Sequence, residues 1–309
     1  MNSPSKKSSS APSSRKLMTP LFPEMESEVY KKIRKYKRYD QAIWTENKSH
    51  FIEQYLKYFV QVTKHGAYID GFAGPQSFEH LDAWTAARVL ASEPKWLRKF
   101  FLCEITRRGV QELKRLVAVQ SETRDKKGRK ITRTIKVIPG DFNRTLDDLL
   151  ARGTITQKEA TFCLLDQRTF ECHWRTLKKL AKYKKPPNHK IELLYFLGVG
   201  WLHRALSGIR KNAKAREWWG KADWQTLRSK SSYAIVELVC QRIREELGYL
   251  FVAAYPIFDK NEGDRVMYYM IHASDHDEAP ALMVRAHYKA VRARPSAVQE
   301  PLNFGGTQN

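Results

Sequence analysis

The chain lacks the features that would suit it to a membrane or to an oxidising compartment. No apolar run approaches the roughly 20 residues a bilayer-crossing helix needs, so no membrane partner is expected. Residues 1–24 are rich in Ser, Pro and Lys and carry no apolar stretch of the export type. Cysteine is scarce, with four among 309 residues: Cys103, Cys163, Cys172 and Cys240. They show no CxxC spacing and no histidine at zinc-ligand distance, so neither a disulfide framework nor a zinc site is expected. Cys103 and Cys163 sit inside apolar runs, which points to buried free thiols and a cytoplasmic location. A G-x-S-x-G elbow and a GxxxxGK[ST] loop are both missing, so serine hydrolase and P-loop chemistry have no carrier. Acidic residues are also few, 33 against 55 Lys and Arg, for a formal charge of +22. An excess of that size draws polyanions through counterion release, and nucleic acid is the expected partner.

What is present is enough for a sizeable core, with 42% apolar and 12% aromatic residues. Residues 1–24 form a low-complexity tail without side chains to bury. A basic helical segment is expected over 25–66. It contains the run Lys31–Arg38, then apolar residues at helical spacing from Phe51 to Val60 after an N-cap at Thr45. Between 67 and 292, short apolar runs alternate with helical stretches. Strands are predicted at 67–70, 99–104, 135–138, 161–166 and 191–197, with helices near 83–92 and 106–119. Continuous apolar strands alternating with helices imply a parallel sheet covered on both faces. Residues 120–134 read as a basic excursion turning at Lys127-Gly128. A helix at 231–247 then leads into two strands, 249–258 and 265–273, joined by Asn- and Gly-bearing hairpin chemistry. A last helix spans 277–291, and 293–309 forms a tail. The predicted fold class is α/β: a doubly wound, mostly parallel, Rossmann-like sheet with a C-terminal antiparallel hairpin, the pattern of the methyltransferase variant.

Ligands of such sheets bind at the carboxyl ends of the strands, where strand order reverses. Asp70 ends the first strand, Glu104 the second and Asp166 the fourth, and Asp141 follows the third. One such carboxylate is commonly a helix cap; four at equivalent places make candidate ligand contacts. The turn Gly71-Phe72-Ala73-Gly74 lets a ligand approach the backbone, and Glu104 is placed to accept from a ribose diol.

Tyr68-Ile69-Asp70-Gly71-Phe72-Ala73-Gly74-Pro75 resembles the D-x-F-A-G-P-G turn of class I S-adenosylmethionine-dependent methyltransferases. With Trp44, Lys48, Gly140-Asp141-Phe142-Asn143, Asp166, Arg204, the Trp218-Trp219-Gly220 and Trp224 cluster, and Tyr268–His276, the chain resembles the three-Cys-motif partner protein family (TcmP) from Trp44 to about Tyr288. The resemblance implies a methyltransferase-like fold, S-adenosylmethionine as cofactor, a partner protein bearing a three-cysteine motif, and a bacterial or phage two-gene setting. It implies that Asp70 and residues 71–74 face the methionine end, that Glu104 holds the ribose, and that Asp141 and Phe142 border the adenine. Two departures stand out. Gln76 replaces the last glycine of the first motif, and Asp166-Gln167-Arg168-Thr169-Phe170 replaces an Asp-Pro-aromatic-Gly turn. In amino-methyltransferases that turn positions the amine and stacks a flipped base, roles that fall here to Asp166 and Phe170.

Arg168, Lys127, Arg129, Lys184 and Lys185 are the expected phosphate contacts, on basic segments that form a track only if they converge. The Trp218–Trp219 pair suits either base stacking or a packing corner. His173, His203, His272 and His276 are dispersed, as packing or surface histidines are. Two alternatives stand beside methyl transfer to nucleic acid. One is a non-catalytic nucleic-acid- or partner-binding module that keeps the fold. The other is nucleic-acid cleavage by a divalent ion held by Asp70, Asp141 and Asp166.

Overall fold

The computed structural model describes residues 43–44, 48–75, 84–120, 124, 128, 130–209, 212–258 and 266–292. The tails at 1–24 and 293–309, the run Lys31–Arg38, Thr45, Gln76, Lys127, Arg129 and the loop 259–264 lie outside the described residues. The strands are β1 (Ile43–Trp44), β2 (Ala67–Asp70), β3 (Lys99–Glu104), β4 (Thr134–Pro139), β5 (Thr161–Leu165), β6 (Glu192–Gly198), β7 (Phe251–Phe258) and β8 (Val266–Ser274). The helices are α1 (Lys48–Thr63), α2 (Thr85–Ala91), α3 (Arg107–Gln120), α4 (Phe142–Ala151), α5 (Trp174–Tyr183), α6 (Leu202–Gly208), α7 (Asn212–Trp219), α8 (Ser232–Leu247) and α9 (Ala279–Arg292). A 3₁₀ segment runs from Ala222 to Ser229.

One sheet carries the order β1-β7-β8-β6-β5-β2-β3-β4. Neighbours among β2 to β6 pair in parallel, and β8 runs antiparallel between β6 and β7. The predicted hairpin therefore forms, but its second strand is inserted beside β6 and the first lies outside it. The fold is Rossmann-like α/β. After β2 the chain lays β3 and β4 on one side, then crosses to place β5 and β6 on the other. Strand order thus reverses between β2 and β5, which opens a crevice at their carboxyl ends.

β2, β5 and β6 are buried at every position, because helices cover both faces, and that is why these strands read as unbroken apolar runs. Alternate side chains face opposite layers. Tyr68, Phe100, Phe162, Leu194 and Met270 join a core with Phe51, Tyr55 and Phe59 of α1, Leu90 of α2, Leu113 of α3 and Met283 of α9. Ile69, Phe101, Cys163 and Leu193, equally buried, are not part of that cluster and belong to the other face. All four cysteines are free and buried. The apolar face read between Phe51 and Val60 is part of the sheet's own core, so α1 packs on the α/β layer that begins at residue 67. Arg124 and Lys130 form an antiparallel bridge around Gly128, whose φ is 76°, as the basic excursion predicted. Local signals set other ends. The Ser231 hydroxyl caps α8 by accepting from the Ala234 amide (3.1 Å), and Gly248 closes it in the left-handed region.

Candidate strand-end cleft

A cavity of about 260 Å³ opens at the reversal point, and the loops after β2, β3, β4 and β5 all contribute to its wall. Gly71, Phe72, Glu104, Asp141 and Phe142 line it, five of the eight residues expected to hold a cofactor, and so does Phe170. The other three, Asp70, Ala73 and Gly74, do not line it. Ala73 is buried, with its amide donating to the Cys103 carbonyl (2.8 Å) and its carbonyl accepting from the Trp84 indole (2.7 Å).

Asp70 is 1% exposed. Its carboxylate accepts from the Tyr68 hydroxyl (2.9 Å) and the Phe72 amide (3.1 Å), which fixes the turn. Burial pushes its carboxyl up to about 7, against the opposing pull of those two donors. Glu104 joins the loops after β2 and β3. It accepts from the Gly74 amide (3.0 Å) and the Thr106 amide (2.6 Å). Glycine at 74 is required by this approach, since a Cβ there would lie 2.1 Å from Glu104 Oε2. Gly71 is required too: a Cβ would meet the Phe142 ring at 2.9 Å.

Asp141 is the N-cap of α4 and accepts from the Asn143 amide (2.9 Å), the bland role of a strand-end carboxylate, while it also lines the cleft. Asn143, 3% exposed, was not foreseen as a connector. Its side-chain amide donates to Asp141 and to the Glu171 carbonyl (2.7 Å). Its oxygen accepts from the His173 amide (2.9 Å) and the Thr176 hydroxyl (2.7 Å). It thereby locks the loop after β4 to the loop after β5.

The loop after β5 is ordered by a side chain in the place of the missing proline. Without proline a loosely organised turn would be expected, yet buried Gln167 ties it down. Its oxygen accepts from the Glu171 and Cys172 amides (3.1 and 2.9 Å), and its nitrogen donates to the Phe196 carbonyl (3.2 Å). Asp166 does not line the cavity. Its carboxylate takes the ammonium of Lys48, from the start of α1, at 2.7 Å, with both side chains largely buried. The Lys48 ammonium also lies 4.9 Å from the centre of the Phe196 ring. Phe170 is 3% exposed and packs on Trp218 with ring centres 4.8 Å apart, so little of its face is open to stack on a base.

Arg168 is exposed, and its amide donates to Glu171 (2.7 Å). Lys185 is exposed as expected. Lys184 is not: the residue is 5% exposed and its ammonium donates to the Glu159 carbonyl. Lys184 therefore does not stand on a surface phosphate track: its side chain turns inward at the other end of the sheet while Lys185 to Pro187 stay exposed. Of the basic segments, Lys178 of α5 and Arg216 of α7 share an open groove with Arg175 and Trp174, and Lys214 reaches the cleft. Arg133 turns inward over the Phe100 ring (4.3 Å).

The tryptophan pair is a packing corner. Trp218 donates to the Tyr195 hydroxyl (2.7 Å) and Trp219 to Asp223 (2.8 Å), both side chains being buried. The Arg242 guanidinium lies over Trp174 and Trp219 and pairs twice with Glu246 (2.7 and 3.1 Å). Its hydrogen bonds hold the Glu246 carboxyl down at about 2. His173 lines the cleft with its Nε2 3.3 Å from Glu217, and its buried Nδ1 makes no hydrogen bond among the described residues. Burial lowers its pKa.

Among the described residues, no group of three or more His, Cys, Asp or Glu side chains is placed to hold a metal ion. Asp70, Asp141 and Asp166 each have protein donors instead. No helix among them is long and apolar enough to cross a membrane. No protein-family model matches the chain, and no curated protein sequence matches it.

Proposed function

We propose that the chain is an S-adenosylmethionine-dependent methyltransferase-like protein that works on or with nucleic acid, within a two-gene system alongside a three-Cys-motif partner protein. One observation carries the reading: four strand-end loops meet at a single cavity where the sheet reverses, and that cavity holds five of the eight residues the sequence assigned to cofactor binding. The insertion of β8 antiparallel beside β6 supports the same variant of the doubly wound sheet. The residues fit the cofactor's nucleoside part. Phe72 and Phe142 supply apolar walls. Glu104 keeps acceptor capacity beyond its two backbone bonds, as a ribose diol requires. Asp141 stands at the adenine side. When bound, the cofactor supplies an electrophilic methyl group. The protein's share is to hold it, fix its orientation and present an acceptor beside it. Exposed Arg168, Arg175, Lys178 and Arg216 supply cations for a polyanion near the same loops.

Isothermal titration with S-adenosylmethionine tests the proposal. Saturable binding is expected, weakened at least about tenfold by Glu104→Ala. No heat at high micromolar ligand, with the variant behaving identically, overturns it.

The second reading, a non-catalytic nucleic-acid- or partner-binding module, is favoured by the Lys48–Asp166 ion pair and the covered face of Phe170. Both residues assigned to the acceptor are already engaged within the protein. Transfer of a labelled methyl group to DNA, RNA or the partner protein separates the two. Incorporation that disappears in Asp166→Ala eliminates the binding-only reading.

A further inference from the structure

A second cavity, of about 330 Å³, lies at the opposite end of the sheet. Thr161 opens β5, Glu192 opens β6 and Ser274 closes the antiparallel β8, so all three stand at the amino end of the parallel strands. Helices α1 and α9 and the loop 184–190 complete the walls. Glu192 is the single carboxylate among the described lining residues, and its side chain is 7% exposed. One oxygen accepts from the Tyr55 hydroxyl and sits 2.8 Å from His272 Nε2, and the other accepts from the Ser274 hydroxyl at 3.1 Å. A carboxylate offers about four acceptor positions, so one remains for a donor entering the cavity.

Lys184 is the second element. The residue is 5% exposed, yet among the described residues its ammonium makes one hydrogen bond, to the Glu159 carbonyl, and no ion pair. The carboxylate of Glu159 is engaged by Lys99 at 2.9 Å. An ammonium held out of water with two of its three donors unused carries a desolvation cost that an incoming anion would offset. Burial lowers its pKa to about 8. Lys158 is exposed on the same rim, and His189 and His276, with ring centres 5.1 Å apart, flank the loop. Lys190 is already committed to Asp275 and the Gly248 carbonyl, both at 2.8 Å. Phe59, Val62 and Leu282 supply an apolar side.

We propose that this cavity is a ligand site separate from the strand-end cleft, and that it takes a phosphomonoester no larger than a nucleoside monophosphate. The phosphate sits on Lys184 and Lys158, a hydroxyl or amino group donates to Glu192, and the body of the molecule lies against Phe59, Val62 and Leu282. A phosphate suits the site better than a carboxylate because it brings three acceptor oxygens and up to two charges to a cavity with one buried lysine, one exposed lysine and two imidazoles. A polymer backbone does not suit it, since Lys184 lies inside the fold. The volume falls at the small end of the range for ligand pockets.

Titration of the full chain with adenosine 5′-monophosphate, ribose 5-phosphate and inorganic phosphate tests the proposal, with adenosine as the phosphate-free control. At least one phosphomonoester is expected to bind saturably, at least about tenfold tighter than adenosine and than inorganic phosphate. Lys184→Met should weaken it about tenfold or more, and Lys158→Ala, an exposed change that leaves the core intact, about two- to fivefold. The double variant Arg175→Ala/Lys178→Ala, in the groove between α5 and α7, should leave it unchanged. The imidazole NMR signals of His189 and His276 should shift on binding. Absence of saturable binding up to about 10 mM, equal binding of adenosine, or binding that survives both lysine changes overturns the proposal.

Discussion

At the carboxyl end of the sheet, three acidic side chains are held by backbone amides, Asp70 by Phe72, Glu104 by Gly74 and Thr106, Asp141 by Asn143, while Asp166 takes the Lys48 ammonium. At the amino end, Glu192 is held by two hydroxyls and an imidazole, and Lys184 stands in the same cavity with one carbonyl for company. Phe72, Thr106 and Asn143 each lie two residues beyond the carboxylate they hold, so that part of the arrangement comes with the chain's local path, whereas Gly74 is 30 residues from Glu104. Side-chain donors must be brought from α1, β8 and the loop before β6, so the second exists only because distant elements meet. The same burial that raises Asp70 lowers Lys184, because low polarity disfavours whichever form is charged.

The largest effect that would sharpen this contrast lies at Asp70. Between pH 4 and 7 the folded protein keeps a proton that the unfolded chain has released, so stability falls as pH rises through that window. The loss is up to about 4 kcal/mol for a shift of this size. Asp70→Asn should remove that slope in urea unfolding followed at several pH values. An unchanged slope would show that the carboxyl is not buried as described.

Gln167→Ala comes next. It leaves the Glu171 and Cys172 amides and the Phe196 carbonyl without their partner, and should cost about 2 kcal/mol in unfolding free energy. A loss below a few tenths would mean that the loop does not depend on this side chain for its order.

Gly74→Ala should weaken S-adenosylmethionine binding about tenfold with little change in melting temperature, because the new methyl group drives Glu104 from its position. Unchanged affinity in titration would separate Glu104 from cofactor binding.

The smallest effect is at Lys184. Its folded pKa lies below its unfolded one, so the unfolded chain binds the extra proton between about pH 8 and 10.5, and stability rises with pH across that interval. Below pH 8 the full cost of the buried ammonium is present. Lys184→Met should therefore be as stable as the parent at pH 7, or more so by roughly 1 kcal/mol, measured by thermal unfolding. A clear drop in melting temperature would make Lys184 a structural residue and break the contrast between the two ends.

Much of the carboxyl end was legible in the chain. Ala67–Asp70, Lys99–Glu104 and the strand beginning at Thr161 declare themselves as apolar runs because both faces of the sheet are covered. Each ends at or just before a carboxylate, so the crevice follows from topology. Asn143 and Gln167 were not legible as connectors, since a polar residue beside a strand end gives no periodic signal and its partners come from another loop. The amino-end cavity was missed for the same reason. His272 read as dispersed, and Lys184 was grouped with its exposed neighbour Lys185, because sequence adjacency says nothing about which of two lysines a loop turns inward.

By itself the sequence determined the alternation of strands and helices, the burial of β2, β5 and β6, and the row of acidic strand ends, all of which rest on local hydrophobic pattern. Tertiary structure alone decided that β8 slots between β6 and β7, that Lys48 engages Asp166, and that Tyr55, His272 and Ser274 converge on Glu192. Those outcomes join residues far apart in the chain, and the free energy of such contacts exists only once the layers have packed.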